Sequence, residues 1–188
     1  MEKELELIVS EHRNLLEQIL EKNFHDKIYK TASIILDTIQ KRGKILLCGN
    51  GGSAADCQHF AGEMLGRFLK ERQPVPFISL TTNTSILTSL ANDYSFDSVF
   101  SRQVEGIGNR QDVLLAFSTS GTSKNIISAI YAAKNKKMKI IGFTGKTPNQ
   151  MEEISDVCLG VDSKSTPRIQ EMHILLIHII CFLVEKKL

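Results

Sequence analysis

Lys44-Ile45-Leu46-Leu47-Cys48 runs without interruption into Gly49-Asn50-Gly51-Gly52-Ser53-Ala54-Ala55-Asp56, and the reading of this junction decides the fold. The first five residues are continuously apolar after the lysine, the pattern of a strand buried on both faces. Glycines then open a tight turn where the backbone can approach a ligand closely. Ser53 to Asp56 start a helix, whose N-terminus offers unpaired N–H groups and partial positive charge to an anion. One turn further in, His59 and Glu63 stand four residues apart and project from one helix face.

Outward from this junction the chain alternates. Phe77-Ile78-Ser79-Leu80, Asp112 to Phe117, Lys139 to Phe143 and Val157 to Val161 read as further strands. Helical patterns lie between them, around Thr84 to Leu90, Ser95 to Val104, Ile126 to Ala133, and from Thr166-Pro167 onward. Asn92-Asp93 is expected between the first two of these, and Arg67 to Pro76 is read as a connection. Thr166 is read as the cap of the last helix, with Pro167 at its first position. Alternation with continuously apolar strands predicts an α/β fold: a three-layer, doubly wound parallel sheet covered on both faces. Before it, residues 4–22 and a second segment ending near Arg42-Gly43 carry helical spacing. The 188 residues are thus expected to form one domain, a helical pair over 1–42 and an α/β core over 43–188. The leading helices and the very apolar last helix are candidates for pairing surfaces as well as for internal packing.

Composition narrows the function. A formal net charge of +2 gives no reason to expect nucleic acid or an anionic membrane as partner. The basic run Lys134 to Lys139 falls where a helix should end, a favourable place for cations. Cys48, Cys57, Cys158 and Cys181 are widely spaced with no CxxC pair, which fits reduced thiols of a cytoplasmic protein. The start, Met1-Glu2-Lys3-Glu4-Leu5-Glu6, is charged and amphipathic rather than a signal peptide. Ile174 to Val184 is apolar but short for a bilayer and is interrupted by His178, so a buried helix is expected.

Two motifs point to nucleotides and fail. Gly49-x-Gly51-x-x-Ala54 resembles a dinucleotide fingerprint, which needs a carboxylate at the end of the next strand. Here that strand ends in Leu80-Thr81-Thr82-Asn83. Gly145-Lys146-Thr147 resembles a P-loop, but the glycine required five residues earlier is Ile140. No nucleotide cofactor is expected.

Ser118-Thr119-Ser120-Gly121-Thr122-Ser123 follows a strand and precedes a helix. Five hydroxyls in six positions exceed what a helix cap requires and suit a phosphate. Ligands of open parallel sheets sit beyond the carboxyl ends of the strands, so this loop and the glycine turn share one edge. Asn92-Asp93 could reach that edge, or merely form a turn. His59 and Glu63 fit a metal pair, an acid–base pair or a surface ion pair. His178, inside Leu175 to Ile180, needs a specific partner and is either a functional group or a satisfied core histidine.

Together, Gly49 to Asp56 with His59 and Glu63, Asn92-Asp93, Ser118-Thr119-Ser120-Gly121-x-Ser123, and Arg168-Ile169-Gln170-Glu171 with His178 resemble the sugar isomerase (SIS) domain family, and within it the phosphoheptose isomerases. The resemblance spans nearly the whole chain. It implies a flavodoxin-like fold and a sugar-phosphate substrate touching Asn50, Gly51, Gly52, Ser53, Asn92, Asp93, Ser118, Thr119, Ser120 and Ser123. It also implies that His59, Glu63, Gln170 and His178 surround the reacting carbons and hold zinc, in a homotetramer with sites between subunits. The reaction implied is the conversion of sedoheptulose 7-phosphate to D-glycero-D-manno-heptose 7-phosphate through an enediol. Glu63 is then the base and His178 the acid, and the product feeds ADP-heptose or GDP-heptose for a surface polysaccharide such as lipopolysaccharide or capsule. At about 100° per residue, Gln170 and His178 lie about 80° apart; periodicity alone prefers Glu171, so Gln170 rests on the resemblance. The rival is a non-catalytic SIS protein that binds the replication initiator DnaA or senses a sugar phosphate.

Overall fold

A computed structural model describes residues 2–188; Met1, part of the charged start considered above, lies outside the described residues. Five strands form one parallel sheet: β1 (Ile45–Cys48), β2 (Phe77–Ser79), β3 (Val113–Ser118), β4 (Lys139–Thr144) and β5 (Val157–Gly160). Their order is β2-β1-β3-β4-β5, so the chain reverses its direction of travel between β1 and β3. In such sheets that reversal is where ligands bind. Register brings Ile45 opposite Val113 and Cys48 opposite Ala116, which places the ends of β1 and β3 side by side.

Alternation along each strand separates two cores. Ile45, Leu47, Leu115, Phe117, Ile141 and Phe143 face one side. They pack there with α1 (Glu2–Ile19), α2 (Lys22–Gln40), α3 (Gly52–Leu65) and α8 (Thr166–Glu185). Leu46, Cys48, Leu114, Ala116 and Ile140 face the other, against α5 (Ser101–Ile107), α6 (Lys124–Asn135) and their neighbours. Truncating a fully buried member such as Leu115 is worth about 2–5 kcal/mol. The four cysteines are free and buried, and burial pushes the Cys158 and Cys181 thiols up to about 12.

Several local expectations change. Asn92-Asp93 closes the last turn of α4 (Thr84–Asp93) instead of separating two helices. Asn83 starts that helix by accepting a hydrogen bond from Ile86 N. The segment expected as a helix from Ser95 is a short 3-10 turn, Phe96–Ser98, followed by α5. A five-residue helix, α7 (Gln150–Ile154), was not expected; Asn149 caps it by accepting from Glu152 N, and five residues are too few to show a period. The last helix starts one position earlier than expected, with Ser165 as cap residue and Thr166 already helical. It is 20 residues long and apolar, so length and composition alone would allow it to span a bilayer. In the fold, its Ile169, Met172, Leu176, Ile177 and Ile180 belong to the sheet's core.

Candidate functional site

The turn after β1 and the loop after β3 are held to each other by a pair of amides. Asn50 Nδ2 donates to Asn125 Oδ1 at 2.9 Å, and Asn125 Nδ2 donates back to Asn50 Oδ1 at 2.8 Å. Asn125 is buried in the first turn of α6 and Asn50 is half-buried, so the exchange leaves neither amide unpaired. Sequence reading missed Asn125. Its signal was an amide on the inward face of a helix, directly before Ile126-Ile127.

In the hydroxyl loop, Ser118 Oγ lies 3.0 Å from Ser123 Oγ and 3.3 Å from Ser120 Oγ. Ser123 occupies the cap position of α6, yet its side chain makes no cap hydrogen bond. The hydroxyls converge on one another rather than on the helix end, which is the behaviour of a ligand cradle more than of a simple cap. Thr119 is half-buried and its carbonyl accepts from Gly145 N at 3.1 Å. Gly121 has a φ of +69°, and a Cβ there would meet the Asn149 amide at 2.4 Å, so only glycine lets the loop close against α7.

Gln170 settles against the other turn. A Cβ on Gly52 would meet the Gln170 amide nitrogen at 2.3 Å, so the missing side chain is the space this amide occupies. Glu171, favoured by periodicity, points elsewhere: its carboxylate takes His12 Nδ1 at 3.0 Å and pairs with Arg168. Ser53 is buried and lies beneath Gly49. Asn92 and Asp93 are exposed and hydrogen-bonded to each other at 2.9 Å; among the described residues no hydrogen bond ties them to the turn or the hydroxyl loop.

Farther along the same two helices, three side chains meet. His59 Nε2 and His178 Nε2 are 2.8 Å apart, and His59 Nε2 is 3.7 Å from Glu63 Oε1. One ligand atom from each of the three lies within 4.8 Å of the others, all half-buried. His59 and Glu63 do form the i,i+4 pair that a surface reading expects, but His178 turns the pair into a converging trio. Two imidazole nitrogens and a carboxylate are a donor set that can hold a metal ion. The imidazoles meet edge-on, with centroids 5.0 Å apart, and the Phe68 ring stacks on His178 at 5.7 Å.

The core histidine expected as an alternative for His178 exists at His173. That ring is fully buried, and Nε2 donates to the Thr144 carbonyl at 3.2 Å, while among the described residues Nδ1 has no partner. Burial lowers its pKa to about 4.

Comparison with known proteins agrees with this geometry. The SIS domain family profile matches residues 9–145. A phosphoheptose isomerase of Helicobacter pylori (strain P12) is 47% identical over 175 residues, covering 93% of this chain and 91% of that protein. One from Rhodospirillum rubrum is 51% identical over 161 residues, covering 86% of each. The solved structure of a phosphoheptose isomerase from Neisseria gonorrhoeae superposes with a TM-score of 0.91 at 41% identity, covering 98% of both chains.

Proposed function

The chain belongs to the SIS domain family, and from that premise we propose that it is a phosphoheptose isomerase converting sedoheptulose 7-phosphate to D-glycero-D-manno-heptose 7-phosphate. The observation that carries the reading is the meeting of His59, Glu63 and His178 on helices that flank the reversal between β1 and β3. A merely sugar-binding protein has no need of an acid–base trio beside a hydroxyl cradle.

In this reading Ser118, Thr119, Ser120 and Ser123 hold the phosphate, with Ser53 behind the turn. Asn50, Gly51, Gly52 and Gln170 hold the sugar, joined by Asn92 and Asp93. Glu63 takes a proton from C1 of the ketose while His178 protonates the carbonyl oxygen on C2, giving an enediol. Return of a proton to C2, with loss of the proton on O1, completes the aldose. His59, Glu63 and His178 fit zinc by donor type, and the resemblance adds Gln170; when bound, the ion polarises the carbonyl and stabilises negative charge on the oxygens.

The same reading makes the chain one SIS domain, since Leu15, Ile19 and Ile28 of the leading helices share the sheet's core, and places it in the cytoplasm. It assembles as a homotetramer with sites between subunits. Leu5, Leu7, Val9 and Leu20 support assembly, because they leave an apolar surface on and just beyond α1 uncovered. The product is a precursor of ADP-heptose or GDP-heptose for a surface polysaccharide.

The test is direct. Pure protein incubated with sedoheptulose 7-phosphate should generate the aldose signals of heptose 7-phosphate by NMR. Absence of product, with and without added zinc, would favour a non-catalytic sugar-phosphate-binding protein.

A further inference from the structure

α3 carries His59 and Glu63, and α8 carries Gln170 and His178. Beyond the trio, the ends of the two helices are joined by one buried ion pair. Glu185, the last residue of α8, is buried and gathers three consecutive backbone N–H groups. Phe68 N donates to Oε1 at 3.2 Å, Leu69 N to Oε2 at 3.0 Å and Lys70 N to Oε2 at 3.1 Å. Arg72 Nε lies 3.3 Å from Glu185 Oε1. The same guanidinium donates to the carbonyls of Glu63 and Met64, each at 2.8 Å, so it also satisfies orphaned carbonyls at the end of α3. Burial alone would raise the Glu185 pKa, but the three N–H bonds and Arg72 outweigh it and hold the carboxyl below its usual value.

This arrangement is costly if stability were its only purpose. A buried ion pair is often no more stabilising than well-packed apolar residues of the same volume, whereas it does impose one geometry on whatever it holds. What it holds here is the segment that presents Phe68. The Phe68 ring stacks on His178 at 5.7 Å and 26°, whereas His59 meets the same imidazole edge-on. The second side-chain torsion of histidine is soft, so a stacking wall is what orients the ring. Glu185 also lies seven residues beyond His178, close to the same face of α8.

We propose that Glu185 and Arg72 form a positioning clamp, which acts through backbone 68–70 and the Phe68 ring to fix the plane of the His178 imidazole toward His59 and Glu63. Glu185 touches no reacting atom in this scheme. The catalytic consequence rests on the role given to His178 above; the clamp itself does not.

The experiment uses the full chain and four variants: Phe68→Leu, Glu185→Ala, the double variant, and Lys70→Ala. In 1H–13C spectra of the metal-free protein at one pH, with His178 assigned through His178→Gln, Phe68→Leu removes the ring current and moves the His178 Cε1–H resonance. Glu185→Ala should move it in the same direction, and the double variant no further. In turnover, Glu185→Ala and Phe68→Leu should each lose about 10- to 100-fold in kcat, the usual scale for residues that orient a reactive group, with KM little changed. Their losses should not multiply. Lys70→Ala, which contributes only its backbone, should match the wild type. If Glu185→Ala does not fold, Glu185→Gln keeps the side-chain shape and is read in the same spectrum. A His178 resonance that stays in place in a folded Glu185 variant, or multiplying losses in the double variant, overturns the clamp. A wild-type protein with no isomerase activity would instead refute the earlier reading, while the resonance still decides the clamp.

Discussion

His173 and His178 lie five residues apart on α8, inside one apolar run, and the helix turns them about 140° from each other. His173 faces the sheet. It is edge-on to Phe117 and Phe143, its Nε2 proton goes to the Thr144 carbonyl, and no donor among the described residues reaches Nδ1. His178 faces α3, half-buried, with its Nε2 aimed at His59 and with Glu63 close by. The same side chain is therefore a locked neutral spacer at one position and, in the proposed function, a reactive group at the other. The decisive difference is the element each faces, since their sequence surroundings are alike.

The largest effect that sharpens this contrast is catalytic. His178→Gln should lower turnover about 10²- to 10⁴-fold, the range for loss of a positioned acid–base group. His173→Leu should leave turnover near wild type. Comparable activity in the two variants, measured by heptose 7-phosphate formation, would erase the distinction.

The next effect is thermodynamic and belongs to His173. Its folded-state pKa of about 4 lies below the ordinary 6.5, so the native ring stays neutral while the unfolded chain takes up a proton. Stability should therefore be fully present above pH 6.5 and fall as the pH drops toward 4, by as much as about 3 kcal/mol. Denaturant titrations across this window should show the loss in the wild type and a flatter profile in His173→Leu. At pH 7 that variant should cost under about 1.5 kcal/mol, because the volume is kept. The Thr144 carbonyl also stays satisfied there, by Val161 N at 3.0 Å. An unchanged acid slope would mean that another group sets it.

A smaller effect extends the comparison to another buried polar pair. Asn125→Ala strands the Asn50 amide and should cost about 1–3 kcal/mol in chemical denaturation. It should also raise KM, because the turn proposed to hold the sugar loses its tie to the hydroxyl loop. A rise in KM without any stability loss would show that Asn125 touches substrate instead.

The fold was largely legible because its signals are periodic. Continuous apolar strands, two glycine- or hydroxyl-rich turns after strands and long amphipathic helices each leave a pattern that sequence alone carries. Short elements did not: α7 has too few residues to show a period, and the Asn92-Asp93 pair sits in a helix end rather than a turn because α4 runs on past Leu90 to Asp93. In the site, spacing alone paired His59 with Glu63, but could bring in His178 only through resemblance, since 119 residues separate it from His59. Periodicity favoured Glu171 over Gln170. In the structure Glu171 pairs with His12 on α1, while Gln170 occupies the space left by Gly52. Phe68, Arg72 and Glu185 were invisible because Phe68 and Arg72 meet α8 only in the fold, far apart in sequence, and Glu185 also binds backbone N–H groups that no side-chain motif records.

Glu63 is where the account is most exposed, because the enediol requires a base at that position. Purified wild-type protein and Glu63→Gln, both shown to be folded and supplied with zinc, should be given sedoheptulose 7-phosphate and followed by NMR for heptose 7-phosphate. The account predicts steady product from the wild type and a loss of at least about 10²-fold in the variant. A Glu63→Gln protein that isomerises at the wild-type rate would contradict it.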